Sequence, residues 1–255
     1  MAEAYHADTS WRGKLRRHTV RLATRRPARA PRRPMISFSF DDVPVSAAET
    51  GARILESRGL KATYYIAAAL AGTDSATGRL AEAAAVKRLA DAGHEIGCPT
   101  YSHLDCGQAT ACDAVEDVAR NAETLAEWGV GRPTTFAYPF GDVAAGPKRA
   151  LAGRFDLLRI VRSGVVARGS DLNQAPAVPF EGPGGEALAM RWLSQAARQR
   201  AWVILCSHDV SETPTQWGCT PAALERLADA ALAAGFDVVT VAEGARRLAP
   251  QRIDA

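Results

Sequence analysis

The sequence predicts an α/β fold, a single domain built as a distorted (β/α) barrel of about seven parallel strands. Three observations predict it. From residue 35 onward, short apolar runs alternate with segments of helical period, the pattern of parallel strands joined by helical crossovers. Six or seven such units follow one another, and no G-x-G-x-x-G follows the first run, so a barrel is preferred to a dinucleotide-binding sheet. Finally, 255 residues with 47% hydrophobic content supply enough apolar surface for one sizeable core.

The strand candidates are MISFSF (35–40), ATYYIA (62–67), the short HEI (94–96), TTFAY (134–138), LLRIV (157–161), WVILCS (202–207) and FDVVTV (236–241). Between them lie SAAETGARILESRG, RLAEAAAVKRLADAG, ACDAVEDVARNAETLAEWG, GEALAMRWLSQAARQ and TPAALERLADAALAAG. Several of these begin near Ser, Thr or Asp and end at Gly, the residues that cap helices at either end. In such a barrel the chemistry belongs to the C-terminal ends of the strands.

The net charge of +3 hides a division. Residues 1–34 hold ten Lys or Arg against two acids, +8, whereas the remainder carries −5. We therefore expect a basic, solvated N-terminal arm (1–34) ahead of a mildly acidic domain (35–250). Trp11, Leu15, Val20 and Leu22 would let a basic helix in that arm rest on an anionic membrane surface. No reader motif or aromatic interleaving supports nucleic acid as a partner. Neither Arg16-Arg17 nor Arg25-Arg26 leads into an apolar segment, and no run is long enough to span a bilayer, so the expected location is cytoplasmic, or peripheral at the inner membrane face. Cys98, Cys106, Cys112, Cys206 and Cys219 contain no C-x-x-C and read as small buried hydrophobes.

Polar residues gather at the predicted strand ends. The first strand runs into Asp41-Asp42-Val43-Pro44; adjacent carboxylates repel, and are tolerated when a cation neutralises one while the other acts as acceptor or base. WVILCS ends in His208-Asp209, which puts an imidazole suited to proton transfer at the same barrel face. FAYPFGD (136–142) is a strand end followed by a Pro and Gly turn able to present a backbone N–H to a developing oxyanion. GCPTYSH (97–103) offers one metal ligand, His103, and places Pro99 where a histidine would complete an H-x-x-x-H pair.

In order and spacing, SFSFDDVP, HEIG with TYSH, FAYPFG and ILCSHD resemble the polysaccharide deacetylase family, the NodB homology domain of carbohydrate esterase family 4, over residues 35–245. Details such as TYSHLDCG and RSGV are similar to bacterial holdfast and exopolysaccharide deacetylases. The resemblance implies a metal-dependent hydrolase that removes N-acetyl groups from amino sugars of a polysaccharide or its lipid-linked precursor. It implies Asp41 as the base that activates water, Asp42 and His103 as ligands of a divalent metal, usually zinc, and His208 as the acid that protonates the leaving amine. The Phe140 amide would serve the oxyanion, and Tyr138, Pro139, Phe140, Arg162 and Trp217 would line the substrate groove.

Two departures qualify this. Many relatives carry an arginine, paired with the base, where this chain has Ala137, and Arg162 is the expected replacement. Pro99 removes one metal ligand, with Cys98 and His94 as the nearby groups able to bind metal; two protein ligands hold zinc far more weakly than three. The alternative expectation is a catalytically silent relative that binds carbohydrate or a partner. The glycines of EGPGGEA (181–187) lack the Lys-Ser or Lys-Thr of a phosphate loop and read as a flexible connection.

Overall fold

The computed structural model describes Gly13 and residues 18–250. Seven parallel strands form the barrel: β1 Met35–Asp41, β2 Thr63–Tyr65, β3 Glu95–Gly97, β4 Thr135–Ala137, β5 Leu157–Val161, β6 Ala175–Pro179 and β7 Trp202–Ser207. Their order, β3-β2-β1-β7-β6-β5-β4, is a ring in sequence order. A bridge between Cys98 and Phe136 brings β3 against β4, with Cys98 N donating to Thr135 O and Ala137 N to Cys98 O, each at 3.0 Å. The outer helices are α1 Ala52–Glu56, α2 Ala83–Asp91, α3 Ala111–Glu127, α4 Ala145–Leu151, α5 Gly185–Gln199, α6 Pro221–Ala233 and α7 Val241–Leu248.

Side-chain alternation sorts each strand into two faces. In β1, Ile36, Phe38 and Phe40 join the apolar layer shared with Ile54, Val86, Leu193 and Leu227 of the helices, so Ser37, Ser39 and Asp41 face inward. The interior is correspondingly tight: a Cβ on Gly97 would lie 2.5 Å from the Tyr65 ring. At the closed end, Trp202 lies under α7, and only a glycine at 244 leaves room for its ring. Glu95 there accepts hydrogen bonds from Thr63, Thr135 and the Ala242 amide, binding three barrel elements to the start of α7.

Two strand expectations change. Ala175–Pro179 is a barrel strand although it carries Pro176 and Pro179, residues that ordinarily mark an edge or a loop. FDVVTV yields only β8, Asp237–Val238, paired with the first two residues of β1; Thr240 then accepts from the Glu243 amide and starts α7.

Residues 18–34 do not behave as the solvated extension expected of the arm. Val20 is buried with Phe136, Tyr138 and Leu158, and Ala28 with Leu172 and Trp202. Lys148, fully buried, donates from Nζ to Val20 O, Asp171 Oδ2 and Gln174 Oε1, so each of its three N–H groups has an acceptor. The physical reason lies in the crossover from β5 to β6, which carries no helix; this segment covers the barrel wall in its place. Of the proposed membrane face, Val20 is therefore turned inward, Leu22 is exposed, and Trp11 and Leu15 lie outside the described residues. No helix among the described residues is long and apolar enough to cross a membrane.

Candidate active site

The open end of the barrel collects the polar strand ends, and its backbone departs from ordinary geometry. Asp42 (φ 52°), Val43 (φ 41°), Thr100 (φ 69°), His103 (φ 59°) and Phe140 (φ 58°) all adopt left-handed conformations that non-glycine residues avoid. Such strain persists only where surrounding structure enforces it, and it concentrates at functional sites. Here burial of Val43 anchors one turn, while Asp117 of α3 accepts the Tyr101 and Ser102 amides at 2.9 Å and fixes the other. The loops after β1 and β7 are joined by Val210 N donating to Ser46 Oγ.

The result sets Asp42 across from His103. His103 Nε2 lies 3.5 Å from Asp42 Oδ1, and that oxygen is buried without a hydrogen-bond partner. The Phe140 ring stands edge-on to the His103 ring at 4.7 Å. An uncompensated carboxylate oxygen facing an imidazole nitrogen fits a shared cation, and Asp42 and His103 are the residues that would hold a divalent metal. Among the described residues no group of three or more His, Cys, Asp or Glu comes together to bind one. Cys98 supplies no third ligand: its Sγ lies on the outer face, accepts from Asn121 Nδ2 at 3.2 Å, and has its pKa pushed up to about 12, first by burial. His94 is at the opposite end of β3, accepting from Ala62 N and paired with Glu56.

Asp41 ends β1 facing inward and forms a charge-assisted hydrogen bond with the guanidinium of Arg159, which is buried in β5 and lies 4.4 Å from the Tyr65 ring centre. Burial disfavours the charged guanidinium, yet Asp41 raises its pKa above the usual value. The expected partner, Arg162, is not the one that pairs: its side chain is exposed at the rim and its amide donates to Ala177 O. Arg159 is the register partner of Ala137 on the neighbouring strand, so the guanidinium reaches Asp41 from one strand further along. The sequence holds one signal for it, a charged residue inside the apolar run LLRIV, sharing the inward parity of Leu157.

His208 follows β7, and its Nδ1 lies 3.3 Å from Glu181 Oε1 and 3.3 Å from Trp217 O. Burial works against the imidazolium, but the Glu181 hydrogen bond and the charges of Asp41 and Asp42 outweigh it and raise its pKa to about 9. Glu181 itself is raised by burial and drawn back by His208. This residue opens the EGPGGEA stretch read above as mere connection; its parity at the end of β6 is hidden by the prolines of that strand. Because the folded-state pKa of His208 exceeds the ordinary 6.5, its contribution to stability is complete below 6.5 and lost as pH rises through about 9. In an NMR titration the His208 ring is expected to show a midpoint near 9. Glu181→Gln lowers that midpoint by about one to two pH units, the worth of a hydrogen bond to a charged group; an unmoved midpoint removes Glu181 from the role.

Other assigned contacts divide. Trp217 and Phe140 are exposed at the mouth. Tyr138 and Pro139 are buried, and the Tyr138 hydroxyl donates to Asn173 O at 3.3 Å while its ring packs on Phe136, so Tyr138 belongs to the core and not to the groove. Asp209 is buried, accepting from Thr215 and shaping the 209–219 loop. Four cysteines are buried as expected, and Cys112 is exposed.

A family model described as "Polysaccharide deacetylase" matches residues 28–153. No curated protein matches the chain. Among solved structures, a putative polysaccharide deacetylase from Mycobacterium smegmatis aligns with a TM-score of 0.65 at 16% identity, covering 88% of this chain and 94% of that one. The chitin deacetylase of Colletotrichum lindemuthianum aligns with a TM-score of 0.58 at 17% identity, covering 84% and 88%. A protein from Bacillus anthracis described as a CE4 family pseudoenzyme aligns with a TM-score of 0.58 at 13% identity, covering 85% and 66%. At these identities the likeness is one of fold.

Proposed function

From a chain that is a member of the polysaccharide deacetylase family through residues 28–153, we propose an N-deacetylase that hydrolyses acetamido groups on the amino sugars of a polysaccharide or its lipid-linked precursor. One observation carries the reading: Asp41 and His208 stand at the ends of adjacent strands, and each has its own counter-charge, the buried Arg159 and the half-buried Glu181. That is the arrangement a paired base and acid require. A divalent metal held by Asp42 and His103, zinc as the family resemblance implies, would supply Lewis-acid polarisation and an acidified water when bound.

The protein's own residues do the rest. Asp41, oriented by Arg159, takes the proton of the attacking water as the acyl carbon becomes tetrahedral. His208 is protonated at neutral pH and delivers its proton from Nε2 to the departing nitrogen, while Glu181 holds Nδ1. Acetate and a free amine leave. Trp217 and Phe140 supply apolar faces on which a pyranose ring can stack.

The second reading, a silent carbohydrate-binding relative, is favoured by a single feature, Pro99 in the ligand position. Acetate release from N-acetylglucosamine oligomers with zinc present decides between them. Turnover that a chelator and Asp41→Asn both abolish is expected of the enzyme. If neither this chain nor Pro99→His releases acetate, the deacetylase reading fails.

A further inference from the structure

Among the described residues, every barrel strand except β5 is followed by a helix before the next begins. The β5–β6 crossover instead runs as an irregular loop, pinned at its lower end where Val166 pairs with Trp202 and Ser170 O accepts from Ala28 N. Residues 18–34 cover part of that wall, and a gap remains beside α5. It is an open groove of about 690 Å³ with Ser163 on one side and Leu188, Arg191, Trp192, Gln195 and Arg198 of α5 on the other. Those α5 residues follow i, i+3, i+4, i+7 and i+10 spacing and form one stripe along the helix, while Ala189, Leu193 and Ala196 make its buried face.

The lining is chemically specific. Trp192 packs partly on the core and directly follows Arg191, and Arg191 and Arg198 stand seven residues apart, a backbone rise of about 10 Å along the helix and close to the length of a disaccharide. Neither Arg191 nor Arg198 has a carboxylate partner among the described residues, and Arg198 Nη2 donates to Gln195 Oε1 at 2.6 Å. In a domain whose residues 35–255 carry a net −5, two unpaired arginines beside an indole form a local cationic site. Ser163 lies two residues beyond Val161, the last residue of the strand that carries Arg159, so the groove opens from the rim of the mouth.

We propose that this groove is a second carbohydrate site that binds a carboxylate-bearing stretch of the polymer beside the active site, a proposal resting on the reading that the substrate is a polysaccharide. The indole face stacks on a pyranose ring, the guanidiniums take sugar carboxylates in two-pronged hydrogen bonds, and Gln195 and Ser163 meet hydroxyls. A polymer held in both places is retained between encounters, because the second contact is intramolecular.

The test is calorimetric titration of the full chain with three probes: a hexamer of uronic acid, neutral chitohexaose and polyglutamate of matched charge. The uronate hexamer is expected to bind most tightly, and Arg191→Glu/Arg198→Glu to weaken it by at least about tenfold. Trp192→Ala is expected to do the same, and the exposed arginine pair keeps the test valid if that variant fails to fold. Unchanged affinity in the arginine variant overturns the proposal. So does a loss of chitohexaose binding in the arginine variant equal to that of the uronate hexamer, which removes the role of charge, or tighter binding of polyglutamate, which makes the groove a peptide site. Binding needs no turnover, so this result stands apart from acetate release: a chain that releases no acetate can still bind the hexamer, and an active chain can still fail to.

Discussion

Pro99→His is expected to raise metal affinity by at least about a hundredfold and to raise acetate release with it, since a third protein ligand on zinc is worth several kcal/mol and each 1.4 kcal/mol is a factor of ten. The geometry supports the substitution. Glu95 and Gly97 of β3 face the interior, whereas Ile96 and Cys98 pack in the outer apolar layers. Continuing that alternation turns residue 99 inward, towards the mouth that holds Asp42 and His103. The proline has no amide to offer β2, and the carbonyl of Ile66 accepts from Asn121 Nδ2 at 3.0 Å instead. A histidine would therefore enter without displacing a backbone hydrogen bond. Metal content measured by mass spectrometry, with acetate release alongside, checks the outcome; a chain with one tightly held zinc before substitution would contradict the two-ligand site.

Arg159→Met is expected to lower turnover by about a hundredfold or more, measured in the Pro99→His chain so that the starting rate is large. It removes the group that holds Asp41 and leaves that carboxylate without its hydrogen-bonded cation, a change that ordinarily also costs about 3–5 kcal/mol of stability when the pair is buried. A structural role alone would produce the stability loss. The decisive variant is Ala137→Arg/Arg159→Met, which returns a guanidinium to the register partner on β4. Recovery of at least about a tenth of the lost rate shows that the charge beside Asp41 matters and its strand of origin does not. Turnover unaffected by Arg159→Met would remove the residue from the mechanism.

Both substitutions lie where the sequence is only half informative. The barrel is legible because apolar runs and amphipathic helices repeat with a regular period, and period depends on local side-chain order. The strand APAVP escapes because proline usually forbids a ladder, yet here Val178 and Pro179 still pair with Leu205 and Cys206. Asp41, Asp42, His103 and His208 are legible as polar residues at the ends of apolar runs. Arg159 and Glu181 are not, since each acquires its meaning from a residue more than twenty positions away. Tyr138 errs in the other direction: its sequence neighbours suggest a rim, and packing on Phe136 buries it.

The sequence by itself determined the alternating architecture, the four polar strand ends and the proline four residues before His103, because each is a matter of residue type and spacing along one chain. The tertiary structure alone decided which arginine holds Asp41, which carboxylate tunes His208, that Cys98 points outward, and that residues 18–34 cover a wall the helices leave open. Those outcomes follow from closure of the barrel. It brings distant strands into register, and whether a side chain meets the mouth, the core or solvent depends on the face it occupies once the ring is complete.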